Sequence, residues 1–471
     1  MKWIGLAGLL CALAMPVQAE PSRQVIRARY TAADQESRRY VYVPFNVPAG
    51  TTRIVLTYQY DRAGGANTLD LGIFEPGSLA LGTPALRGWS GGSRDTVTLA
   101  ADDASPGYWP GPLGAGEWHA VLGLYRVAPE GVEVEVTVEC DSDDAPSVSP
   151  QATVTANVPV PQTGPRWYAG VLHAHTVHSD GELTPAQLVN KASAEHLDFV
   201  AITDHNNTAH QRSRASAPGL LVITGEEVTT PVGHFNVWGL SGARRYVEFR
   251  IGADTAGLAR VMNEARDRGA MVSINHPVSD CLACTWTAGV PTAVDALEIA
   301  NGAPEARRQA MLLWDTLLRA GRHVTAVDGS DWHRGTAPLA RPAVRVWAEE
   351  LSVPAILDGL RHGRVVVLAD GALPAPEFEV RSGGEVARVG DTLQVQPGAS
   401  VEATVHVDAS AYAGARVDLL WNGEVVWSAP LSGGLVSMTR HPAGPGYLRV
   451  HLVGTDGTLL AVSNPVYLAT S

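Results

Sequence analysis

The chain has 471 residues, 45% of them hydrophobic, and a formal charge of -13 at pH 7. That length exceeds one ordinary domain and predicts two or three. The acidic balance, with no long basic run, argues against nucleic acid or an anionic membrane as the main partner.

The first 19 residues read as a processing segment. Lys2 gives a positive start, an apolar run follows from Trp3 to Met15, and Val17-Gln18-Ala19 offers small residues at the cleavage positions. The run is too short to span a bilayer, and no second candidate follows. The expectation is an exported protein without a membrane span, periplasmic or secreted. Cys11 leaves with this segment. In an oxidising compartment, Cys281-Leu-Ala-Cys284 reads as a local disulfide pinning a loop, which leaves Cys140 as a buried odd thiol.

Residues 20–140 alternate apolar and polar side chains between Gly, Pro and Asp breaks, as in Tyr40 to Phe45, Arg53 to Tyr60 and Val132 to Val138. This period of two predicts antiparallel strands in a β-sandwich or jelly roll, an accessory domain or a surface-binding module. Residues 141–166 shift to Ser, Pro, Thr, Gln and Val without period and read as a linker. From 167 to 370, apolar strands alternate with helical stretches. Thr184-Pro185 starts a helix with Leu188 and Ala192 on one face. Phe199 to Ile202 is a strand, Leu221 to Val228 another. Asp254 to Arg268 is a helix, Ala270 to Ile274 and Val294 to Ile299 are strands, Pro304 to Ala320 is a helix, and His323 to Val327 is a strand. Repeated strand-then-helix units predict a parallel α/β barrel or doubly wound sheet. Residues 371–471 return to alternation at Val401 to Val407, Val417 to Trp421 and Tyr447 to Leu452, and read as a second β-sandwich.

The chemistry-bearing residues of the middle segment fall at predicted strand ends. His173 and His175 are two apart, so in a strand both imidazoles share one face; Asp180-Gly181 follows in a turn. Thr203-Asp204-His205, Gly225-Glu226-Glu227, His234, Asn275-His276 and Asp331-Trp332-His333 come next. A parallel barrel opens its C-terminal strand ends onto one face, so these residues would surround one cavity. Each alone is ordinary; their sum predicts a multimetal site.

The segments HAHTVHSDG, TDHNN, GEEVTTPVGHFN, INHP and SDWH resemble the successive motifs of the PHP (polymerase and histidinol phosphatase) superfamily of metal-dependent phosphoesterases, and their layout resembles its exported, carbaryl-hydrolase-like branch. The resemblance spans roughly residues 167–370. It implies a distorted (β/α)7 barrel, flanked here by N-terminal and C-terminal β-sandwiches. It also implies two or three divalent ions, zinc, manganese or iron. His173, His175, Glu227 and Asp331 would hold one ion. Glu227 would bridge to a second, held with His234 and His276. Asp180, His205 and His333 would hold a third. Glu227 is chosen over Glu226 because the pattern is Gly-x-Glu. Asp331, His333 and His276 are assigned to catalysis as well. His178 is left out, and Asp204 is expected to orient its neighbours.

The implied reaction is hydrolysis of phosphate esters of a small molecule. Water shared by two metals falls from a pKa of about 15.7 toward about 7 and attacks as hydroxide. The same site acting on a carbamate, ester or amide is the alternative, and a non-catalytic exported binding protein a second one. His210, Arg212 and Arg334 are candidates to donate a proton or grip the substrate. Trp286, in the loop after His276, is expected to give the pocket an apolar side.

Overall fold

The computed structural model describes residues 22–82, 85–142, 164–240, 246–251, 255–279, 284–431, 433–440 and 444–470. The expected processing segment, most of the expected linker and Cys281 lie outside the described residues. Cys284 is disulfide-bonded, and Cys140 is a buried free thiol.

The N-terminal region holds β1 (Ser22–Tyr30), α1 (Ala32–Ser37), β2 (Tyr40–Val47), β3 (Arg53–Tyr60), β4 (Thr68–Phe74), β5 (Leu86–Gly91), β6 (Thr96–Ala100), β7 (Gly116–Arg126) and β8 (Val132–Asp141). They form two four-stranded sheets, β1-β8-β3-β6 and β2-β7-β4-β5, with Leu56, Tyr58, Leu71, Trp118 and Leu122 among the side chains packed between them. In β8, Val132, Val134, Val136 and Val138 point inward while Glu133 and Glu139 stay exposed, as a strand with one covered face requires.

The middle region holds β9 (Arg166–Val171), α2 (Pro185–Ala194), β10 (Phe199–Ile202), β11 (Leu221–Thr230), β12 (Gly233–Trp238), α3 (Thr255–Arg266), β13 (Met271–Ile274), β14 (Ala296–Glu298), α4 (Pro304–Arg319), β15 (Thr325–Val327), β16 (Ala343–Ala348), α5 (Val353–Arg361) and β17 (Val365–Leu368). α2 starts with Thr184 and Gln187 in a reciprocal capping box and Pro185 in the first turn. The four residues of β10 and of β13 are all buried, as continuous apolar strands covered on both faces must be.

The C-terminal strands are β18 (Glu377–Ser382), β19 (Glu385–Arg388), β20 (Thr392–Val395), β21 (Val401–His406), β22 (Arg416–Trp421), β23 (Glu424–Pro430), β24 (Leu435–Arg440), β25 (Gly446–Val453), β26 (Leu459–Ser463) and β27 (Val466–Thr470). A sheet β19-β18-β21-β24 faces a core shared with β22 and β25.

The fold is mixed α/β and rich in strands, but the ladders do not form the expected distorted (β/α)7 barrel. The strand path β15-β14-β13-β12-β11-β10-β9-β16-β17 is open and continues through β26, β25, β22 and β23. Two causes are visible. The tight turn at Pro231-Val232 sends β12 back antiparallel to β11, and β13 then pairs antiparallel to β12. β17 gives its outer edge to β26, with Val367 opposite Val462, so it does not pair with β15. The gap between β15 and β17 is spanned by one side chain. Asn464 Oδ1 accepts the Ala326 N–H at 2.8 Å, and its Nδ2 donates to the carbonyls of Ala326 at 2.9 Å and Val365 at 3.1 Å. A buried amide therefore takes the place of a strand pair.

Among the described residues, no helix is long and apolar enough to cross a membrane.

Candidate metal centre

β9 delivers His173 and His175 onto one buried point. The turn after it is held by Asp204, whose carboxylate accepts the Thr176 N–H at 2.8 Å, the Thr176 hydroxyl at 2.7 Å and the Ser179 hydroxyl at 2.8 Å. Asp204 thus orients the loop that carries Asp180. Gly181 is required by close approach, since a Cβ there would lie 2.4 Å from the His175 carbonyl carbon. In β11, alternate side chains part company. Glu227 turns into the site, whereas Glu226 accepts the Val247 N–H at 2.7 Å on the other face. His234 enters from the start of the antiparallel β12 rather than from a C-terminal strand end.

Three groups of side chains bring ligand atoms within 4.8 Å of one another: His173, His175, Glu227 and Asp331; His205, Glu227 and His234; and His175, Asp180, His205 and His333. Eight of the nine expected ligands fall in these groups; the ninth, His276, adjoins them through Glu227. Their division differs in detail, since His205 also faces Glu227 at 3.0 Å and His175 also faces Asp180 at 3.8 Å. His276 Nε2 lies 3.0 Å from Glu227 Oε1, and His234 Nδ1 3.2 Å from the same oxygen. His276 (φ 25°) and Asp331 (φ 50°) both adopt left-handed backbone, a strained conformation for side-chain-bearing residues that the surrounding fold imposes.

The donor set fits divalent ions. His173 Nδ1 is held by Glu298 Oε1 at 2.6 Å, and His175 Nδ1 faces the Ser179 hydroxyl at 3.3 Å. This leaves the two Nε2 atoms, 3.0 Å apart, turned toward each other. Asp331 Oδ1 lies 3.2 Å from both, and Glu227 Oε2 lies 3.4 and 3.3 Å away. Both of those oxygens are buried without a hydrogen-bond donor. Lone pairs packed this closely call for positive charge among them, a proton on the imidazoles or a metal ion in its place, and mixed imidazole and carboxylate donors suit zinc, manganese or iron.

The electrostatics agree. Burial disfavours charge on His173, yet Asp331, Glu298 and Glu227 hold it well above the usual imidazole range. His175 is likewise raised to about 10 against burial, by Asp331 and Glu227. Burial opposes ionisation of Glu227 and Asp331, but the surrounding imidazoles hold both well below the usual carboxylate range. His205 is lowered to about 4, chiefly by burial.

Several residues fall elsewhere than expected. His210 is buried with Nδ1 3.2 Å from Asp204. Arg212 donates to the Tyr108 carbonyl at 2.6 Å, and Arg334 is exposed; neither lines the cavity beside the site. Trp286 packs against Gly233 in the core, and its loop meets the cavity through Ser279 and Cys284. His178, left out of the expected ligand set, lies outside the three groups; lowered to about 4 mainly by burial, it accepts the Gly107 N–H at 3.0 Å.

Sequence reasoning passed over Glu298. Besides holding His173, it accepts the His276 N–H at 2.7 Å and Asn301 Nδ2 at 3.0 Å. Gly329 makes room for it, because a Cβ there would lie 2.4 Å from Glu298 Oε2. Its place at the end of a predicted strand was the available signal. Asn275 Nδ2, 2.9 Å from Glu227 Oε1, and Thr229 Oγ1, 2.6 Å from His205 Nδ1, were missed as well.

No family model matches the chain. It is 37% identical over 62 residues to a 5'-3' exoribonuclease of Haemophilus influenzae and 44% identical over 64 residues to the 5'-3' exoribonuclease Rnm of Escherichia coli. These matches span 12% of this chain and only 23% and 22% of those relatives. Among solved structures, it is similar to a Bacteroides vulgatus two-domain protein containing a predicted PHP-like metal-dependent phosphoesterase, at 18% identity and a TM-score of 0.36. That alignment covers 67% of this chain and all of the other. An amidohydrolase from Chromobacterium violaceum aligns over 36% of this chain and 92% of its own, at 18% identity and a TM-score of 0.24. Likenesses this distant leave function to be argued from the side chains.

Proposed function

We propose that this chain is an exported metal-dependent hydrolase that cleaves phosphate esters of small molecules, akin to the exported, carbaryl-hydrolase-like branch its motifs resemble. The supporting observation is the pair of imidazole Nε2 atoms, 3.0 Å apart, facing two buried carboxylate oxygens that have no donor. His173, His175, Glu227 and Asp331 would hold one divalent ion. Glu227 with His234 and His276, or with His205, would hold a second, and Asp180, His205 and His333 a third. Bound there, the ions supply a nucleophilic water near neutral pH and neutralise charge developing on the ester oxygens.

The chain's own residues do the rest. Asp331, His333 and His276 line a cavity of about 560 Å³, where they face the reacting group. Cys284 lines it too but is disulfide-bonded, and the Ser179 hydroxyl is committed to Asp204. Neither serves as a nucleophile. One observation favours a second reading, hydrolysis of a carbamate, ester or amide: no Lys or Arg is found among the described residues lining the cavity, and phosphate sites commonly recruit arginine.

The test compares p-nitrophenyl phosphate, bis(p-nitrophenyl) phosphate, an aryl ester and an aryl carbamate, using protein reconstituted with manganese or zinc and His276→Ala as control. Phosphoester turnover that chelation and the variant both abolish is expected. Turnover of the carbonyl substrates alone would move the chain to the second reading, and turnover indifferent to chelation would refute both. Export is tested by cell fractionation.

A further inference from the structure

One wall of the metal cavity comes from the N-terminal sandwich, which contributes Asp70 on β4, Trp89 and Gly91 on β5, Gly92, and Tyr125 on β7. This sandwich is fixed against the metal-site loop. Arg94 donates to the Val177 carbonyl, the Gly107 N–H is held by His178, and Asn207 Nδ2 reaches the Trp89 carbonyl at 3.4 Å. The wall is therefore placed as firmly as the ligands are.

Asp70 is the anomaly in it. Its neighbours Leu69 and Leu71 are buried in the sandwich, so the pleat turns Asp70 to the opposite, cavity face. Half-buried in the cavity wall, its carboxylate makes no hydrogen bond or ion pair among the described residues. Three glycines keep it uncovered: a Cβ would lie 3.6 Å from Asp70 Oδ1 at Gly91, 3.8 Å from it at Gly92, and 3.2 Å from Oδ2 at Gly123. Side chains there would cap the carboxylate; glycines leave that space open to a ligand. Burial pushes Asp70 up to about 7, against Arg39 and with a contribution from Asp180.

We propose that Asp70 is a specificity-determining residue that accepts a hydrogen bond from a hydroxyl or ammonium on the leaving group of the substrate ester. The N-terminal sandwich would thereby select small esters of amino or polyhydroxy alcohols and disfavour leaving groups that carry further anions. This rests on the phosphoesterase reading above.

The experiment uses the full chain loaded with manganese and compares 2-aminoethyl phosphate, glycerol 2-phosphate and propyl phosphate, the last without a donor. The wild-type protein is expected to favour at least one donor-bearing ester over propyl phosphate, a comparison that needs no variant. In Asp70→Asn and Asp70→Ala, with metal content verified, the ratio of kcat/KM for that ester to kcat/KM for propyl phosphate is expected to fall at least tenfold, mainly through KM. Loss confined to the aminoethyl ester identifies an ammonium, and loss confined to the glycerol ester a hydroxyl. Equal handling of all three esters by the wild type, or an unchanged ratio in the variants, overturns the proposal. Absence of turnover on all three with metal bound overturns the phosphoesterase reading instead.

Discussion

Replacing Glu298 with Gln tests how far the metal centre depends on a residue outside its ligand set. The carboxylate has three partners. Oε1 takes His173 Nδ1 at 2.6 Å, and Oε2 takes the His276 N–H at 2.7 Å and Asn301 Nδ2 at 3.0 Å. A glutamine matches its shape but has one acceptor oxygen. If that oxygen stays with His173, the NH2 group meets two donors at His276 and Asn301. If it flips, the NH2 meets His173 and forces the other tautomer, with the proton on Nε2 where the metal belongs. Partners of this kind are worth roughly 10–100-fold in metal affinity, or about 1.4–2.7 kcal/mol. Calorimetric titration of the apo-protein with manganese is expected to show that weakening, with activity recovered at raised metal concentration. Wild-type affinity and stoichiometry in Glu298→Gln would refute the reasoning. So would a large fall in stability with no change in metal binding.

Further outcomes follow from other sites. Asn464→Ala strips the buried Ala326 N–H and carbonyl of the amide, while the Val365 carbonyl keeps the backbone N–H of residue 464, and should cost about 3 kcal/mol at roughly 1–3 kcal/mol per orphaned group; a denaturant shift worth under about 1 kcal/mol would count against the bridging role. Asp328 is fully buried, and burial, with Glu298 nearby, raises it well above the usual range. The folded state therefore keeps its proton after the unfolded chain has lost it, and stability falls as pH rises above about 4. Asp328→Asn should raise Tm at pH 8 and have little effect at pH 4; a gain equal at both would contradict this. Because His175 is raised to about 10, metal binding must displace its proton. Affinity should fall from pH 8 to pH 6, with proton release measurable in buffers of differing ionisation enthalpy; pH-independent binding without proton release would refute it. Chelation should lower Tm, since an ion that binds only the folded state stabilises it.

Much of this centre was legible because its residues come in spaced groups. His173 with His175 and Asp331 with His333 are each spaced two apart, and the choice of Glu227 over Glu226 rests on the Gly-x-Glu pattern of the resemblance. Glu298 was not legible in that way. It stands alone at the end of a three-residue strand, with no second ligand at a meaningful spacing. Asp70 was further out of reach, because nothing in the local pattern of β4 says which other element its outer face will meet. The direction of β12 was written in the short Thr230-Pro231-Val232-Gly233 turn, but a template of parallel units passed over it. Strand extents were read well wherever burial on one or both faces imposed a period.

The amide of Asn464 sets a condition on how this molecule can be divided. Until the chain is present as far as residue 464, β15 and β17 keep open edges, and β17 also lacks β26. Those strands lie in the same sheet as β9 and β11, which carry the candidate ligands. A fragment ending before residue 464 would expose unpaired strand edges, which are templates for aggregation. The C-terminal strands therefore act as the clasp of the metal-binding sheet, and losing them should cost solubility before it costs any chemistry of their own.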